Sequence, residues 1–78
     1  MPYISEEKRK ALESKMPETT DELTYQIYKK ITDYLYTNGY RWKTMSEVMA
    51  AMESAKLEFY RREVAPYEDI KIEENGDV

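Results

Sequence analysis

Two clusters in this 78-residue chain set guanidinium groups beside aromatic rings, Tyr40-Arg41-Trp42-Lys43 and Tyr60-Arg61-Arg62. That pairing suits an anion carrying a flat ring, because arginine grips phosphate through a planar fork while an aromatic face stacks on a base. Solvated surface charge or ion pairing between subunits is the simpler account of either cluster taken alone. Eight of the ten aromatic residues are tyrosine, which offers both a ring for packing and a hydroxyl for polar contact. Such rings also fill the amphipathic edges of small cores.

Other chemistries are poorly supplied. The chain has no histidine and no cysteine, which removes Ser-His and Cys-His catalysis, disulfide staples and the usual zinc ligands. No enzyme activity, metal or cofactor is therefore expected. Carboxylates are plentiful, but acid-base work needs a pair poised in a pocket, which spacing cannot show. Glu53 reads as an ion-pair partner of Lys56 one turn on. Residues 69–77 lack the acidic alternation and glycine placement of a calcium loop. With only Gly39 and Gly76 present, there is no glycine-rich phosphate loop.

The net charge of -4 is unevenly held. Residues 1–64 carry eleven acids and eleven bases, whereas Glu68, Asp69, Glu73, Glu74 and Asp77 face only Lys71. An acidic end on a neutral body argues against binding long nucleic acid, which wants a net positive face. No apolar run approaches a membrane span and no signal-peptide pattern follows Met1, so a soluble cytoplasmic protein is expected.

The elements that must position these residues read as helices. Ser5 can cap a short first helix with Glu6 and Glu7 in its opening turn, ended by Pro17. A capping box from Thr19 to Glu22 opens the second, and Asn38-Gly39 closes it. Its primary stripe is Leu23, Ile27, Ile31, Tyr34 and Leu35; Tyr25, Tyr28 and Tyr36 widen it, leaving Gln26, Lys29, Lys30 and Asp33 for water. A second box, Thr44 to Glu47, opens a third helix with a main stripe of Met45, Val48, Met49, Met52, Ala55 and Phe59, and Ala50, Leu57 and Val64 on another.

The expectation is an all-α protomer with helices near 5–15, 20–37 and 45–64, the last two an antiparallel hairpin. Residues 1–65 form the helical domain. After a stop at Pro66, residues 66–78 form an extended acidic tail or docking arm, with Ile70 and Ile72 alternating.

Both long helices carry more apolar arc than one neighbour covers, and a chain this short seldom builds a core worth more than ~3–5 kcal/mol. A homo-oligomer, a dimer or higher, follows, with the third helix shared between core and interface. Tyr60, Arg61, Arg62, Arg41 and Tyr25 are the candidate ligand-binding residues. Arg61 and Arg62 point about 100° apart on a regular helix, so one is expected to tie down the protomer or the dimer and the other to reach a phosphate.

Met1-Pro2-Tyr3-Ile4, the segment Asp21-Glu22-Leu23-Thr24-Tyr25-Gln26-Ile27, and above all Ala55-Lys56-Leu57-Glu58-Phe59-Tyr60-Arg61-Arg62, Ala65-Pro66-Tyr67-Glu68-Asp69 and Glu74-Asn75-Gly76-Asp77-Val78 carry a resemblance across nearly the whole chain. They resemble a family of short, functionally uncharacterised proteins of tailed bacteriophages. The resemblance brings no catalytic residues; it implies phage origin and expression in the cytoplasm of an infected bacterium. Small helical oligomers of that class often act on the host, including by sequestering nucleotide signals of antiviral defence. A cyclic nucleotide or ADP-ribose derivative is the ligand this implies. The alternative is a module that inhibits a host or phage protein through its tyrosine-rich face or acidic end.

Overall fold

The computed structural model describes residues 4–78; Met1, Pro2 and Tyr3, which open the resemblance, lie outside them. The described residues are all-α, with no strand among them. In chain order they form α1 (Glu6–Ala11), α2 (Thr20–Asn38), α3 (Trp42–Phe59), a π-helical turn (Tyr60–Val64) and α4 (Ala65–Asn75). None of these helices is long and apolar enough to cross a membrane. The chain divides into two compact units, residues 1–44 and 45–78.

The first unit is built by capping. Ser5 Oγ accepts from the Lys8 backbone N–H at 3.1 Å, satisfying a donor that the first turn leaves free. α1 is shorter than the expected 5–15. Past Ala11 the backbone bonds tighten to three-residue spacing, Glu13 N to Lys10 O and Ser14 N to Ala11 O. Ile4 and Leu12 are the buried apolar residues of this unit.

Thr19 caps α2 as expected, its Oγ1 accepting from Glu22 N at 3.1 Å. The return bond differs by one residue, because Glu22 Oε1 accepts from Glu18 N at 3.0 Å. Gly39 ends the helix at φ +115°, a backbone conformation L side chains rarely adopt.

In the region of the third element the structure corrects two expectations. α3 starts at Trp42, so Thr44 lies in its first turn and does not cap it. The helix also does not stop at Pro66: α3, the π turn and α4 run on as one helix of 34 residues, 42–75. Residues 66–75 are helical, and the isoleucine alternation marks no extended arm.

Proline in a regular helix clashes with the carbonyl four residues back, here Arg62, and removes one backbone donor. The wider turn across Tyr60–Val64 lies where that clash would fall, and the Ala65 N–H bonds five residues back to Tyr60 O. Pro66 then sits in the first turn of α4, the position a helix tolerates best.

Candidate functional site

The π turn carries the most concentrated chemistry of the second unit. Arg61 Nη2 and Arg62 Nε both donate to Glu58 Oε1, the first at 2.7 Å. The two arginines were expected on different faces; instead Glu58, three residues before one and four before the other, draws them together. The Arg62 and Arg61 guanidinium groups hold the Glu58 carboxyl below its ordinary value of 4.5. All three side chains are half or more exposed.

Tyr60 points elsewhere. Its hydroxyl donates to Glu68 Oε1 at 2.7 Å, and that bond pushes the phenol pKa above its ordinary value. Eight residues on a regular helix leave side chains about 80° apart. A π turn adds about one residue and takes back most of that angle, so this hydrogen bond is a consequence of the turn. α4 continues the same local style, with Lys71 Nζ paired to Glu74 at 3.2 Å and lying 5.5 Å from the Tyr67 ring centre.

The remaining two candidates belong to the first unit. Arg41 donates through Nη2 to Asn38 O at 3.3 Å, folding back across Gly39 at the end of α2. Around it Tyr36 and Tyr40 stack with ring centres 5.8 Å apart, and Trp42 is 71% exposed. Tyr25 is half-buried on the wall of an open cleft of about 450 Å³ between α2 and the stretch after α1. That cleft has Lys29 and Lys30 against Glu13 and Asp33, so its charges balance. Lys29 is already committed to Asp33 at 3.1 Å, which raises its pKa.

A second cleft, of about 370 Å³, lies by Ser5, Lys8, Thr19 and Glu22. Neither cleft includes Arg41, Tyr60, Arg61 or Arg62. The five residues thus fall into a Tyr60-Arg61-Arg62 group and two separate positions, Tyr25 and Arg41.

Two residues of α2 hold the N-terminal segment in ways their sequence reading does not give. Glu22 is only 6% exposed; its carboxylate accepts from Glu18 N and pairs with Lys8 Nζ at 3.3 Å. The Glu18 N–H lowers its pKa most, with Lys8 adding to this and burial opposing. One turn on, Gln26 was expected to face water. Its Nε2 instead donates to both Leu12 O and Lys15 O at 2.7 Å, closing carbonyls that the end of a short helix leaves without donors. The i, i+4 spacing of Glu22 and Gln26 was the available signal.

Among the described residues no group of three or more carboxylates gathers as a metal site would require. The features define a small all-helical protein with an exposed di-arginine cluster and a polar-locked N-terminal segment. The chain belongs to the family described as Domain of unknown function (DUF6899), whose model matches residues 1–78. No curated protein and no solved structure matches it.

Proposed function

We propose that the chain is a non-enzymatic, phage-encoded helical oligomer that sequesters an anionic nucleotide signal of host defence, a cyclic nucleotide or an ADP-ribose derivative. The observation that carries this reading is the convergence of Arg61 and Arg62 on Glu58 at the chain surface. Two guanidinium groups held by one carboxylate make an anion site already assembled, in which a phosphate can displace Glu58 and inherit charge-assisted bonds. A wall from another copy would enclose the ligand, and Tyr60 offers its ring for stacking once its hydroxyl leaves Glu68.

A second reading, a module that inhibits a protein, draws on a different observation. Tyr36, Tyr40 and Trp42 are all exposed beside Arg41, and Tyr, Trp and Arg are the residues that dominate protein-binding hot spots.

A thermal-shift panel of cyclic dinucleotides and ADP-ribose derivatives separates the two. A ligand at about 100 times its dissociation constant stabilises by ~2.7 kcal/mol. Arg61→Ala and Arg62→Ala are each expected to weaken binding by about 1.5–3 kcal/mol while the fold persists. No shift with any nucleotide for the parent protein rejects sequestration and leaves the protein-binding reading.

A further inference from the structure

From the charge and exposure pattern of helix 42–75 we infer that a second copy of this chain covers it, packed antiparallel along its full length with the two-fold axis between Glu58 and Phe59. This deepens the oligomer part of the function proposed above and is independent of the ligand.

Three observations support it. In the middle of the helix Leu57 is 57% exposed and Tyr60 51%, and a spacing of three residues on a regular helix puts them about 60° apart, on one face. A two-fold axis there sets Leu57 of one copy opposite Tyr60 of the other, closing that patch on itself. Isologous self-complementarity of this kind is what a cyclic dimer requires.

Charge then selects the direction. Residues 45–62 are neutral, with Glu47, Glu53 and Glu58 against Lys56, Arg61 and Arg62. Residues 63–78 carry six acids and only Lys71, whereas 34–46 hold Arg41 and Lys43 and no acid. Parallel pairing would lay two segments of net charge -5 side by side. Antiparallel pairing keeps them at opposite ends and sets Glu74 of each copy opposite Lys43 of the other, with the rest of each acidic end facing the basic start of the partner helix, an arrangement of opposite potentials.

Size also matches. Opposite the bulky Pro66 and Tyr67 this register places Ala51 and Ala50, small residues that leave room for them. It also gathers Arg61 and Arg62 of both copies within about 10 Å along the axis, at 1.5 Å per residue, with two Glu58 carboxylates among them.

The chain has no cysteine, so single nitroxide labels can be placed cleanly at Ser46→Cys and, in a second protein, at Asn75→Cys, both exposed positions. Circular dichroism of each labelled protein confirms retained helix. Dipolar distances of about 40 Å between the Ser46 labels and about 50 Å between the Asn75 labels are expected, from the helical rise on either side of the axis. Distances of about 10–15 Å at both positions would mean parallel pairing and overturn the inference. So would a monomeric mass with no dipolar signal. The measurement needs no nucleotide, so a failed ligand screen leaves its outcome intact.

Discussion

The two units of the chain hold their shape by opposite means. In residues 4–44 the decisive contacts join positions distant in sequence: Gln26 reaches Leu12 and Lys15, Glu22 reaches Lys8, and Ile4 and Leu12 are buried. In residues 45–78 the side-chain bonds run along one helix, Glu58 to Arg61 and Arg62, Tyr60 to Glu68, Lys71 to Glu74, and Val48 is the buried apolar residue. Exposed pairs of that kind contribute little, and local bonding leaves a helix in water marginal. A polar lock can therefore substitute for a large apolar core over a short segment. A long helix with only local bonds needs burial of its face.

The strongest way to break this contrast is to charge the middle of the long helix. A Leu fully buried is worth about 1.5–3 kcal/mol and a two-fold pair buries one from each copy, so Leu57→Asp is expected to weaken self-association at least 100-fold in sedimentation. Hydrogen exchange should show amides of 45–75 losing protection while those of 20–38 keep it. Equal loss in both units would show that they do not differ as described.

Gly39→Ala attacks the first unit instead. At φ +115° an alanine is strained, at a cost of about 1–3 kcal/mol. The thermal midpoint should fall without any change in helix-to-helix association.

Removing the lock gives a smaller effect. Gln26→Ala deletes one side chain's bonds to two carbonyls, worth about 1 kcal/mol each at most in net terms, and it should raise exchange in residues 6–15 selectively. The same segment should be acid-sensitive through Glu22. Because the folded protein lowers the Glu22 pKa, the stabilisation is fully present above its ordinary value of 4.5 and is lost as pH falls through the lower folded value. An acid titration with Glu22→Gln as control checks this: the variant should lose that part of the pH dependence.

Least of all, Tyr60→Phe removes the exposed hydroxyl bond to Glu68. Oligomer mass and helix content should not change. A measurable loss of α4 helicity would mean that this bond, and not burial, carries the helix past Pro66.

Much of the helical content was legible because it is written locally. Ser5 and Thr19 cap where their side chains meet free N–H groups, and Gly39 ends α2 because it tolerates positive φ. The apolar periods of α2 and α3 came from the same short-range geometry. Pro66 was legible only as an obstacle. Whether a helix stops at a proline or widens around it depends on the cost of the wider turn against what the continued helix buries, and no local rule sums those terms. Likewise polarity alone sets Gln26 toward water, and Glu22 is legible as a capping residue but not as the partner of Lys8; the return of the N-terminal segment gives both those contacts.

Of the candidate residues, the sequence alone determined that the cations and rings lie at Tyr40–Lys43 and Tyr60–Arg62, and that the acidic excess falls after Val64. Three-dimensional structure decided that one carboxylate, Glu58, takes both Arg61 and Arg62 out of the pairs helix spacing allows, and that Tyr60 turns to Glu68, a contact that depends on the wider pitch of the backbone between them.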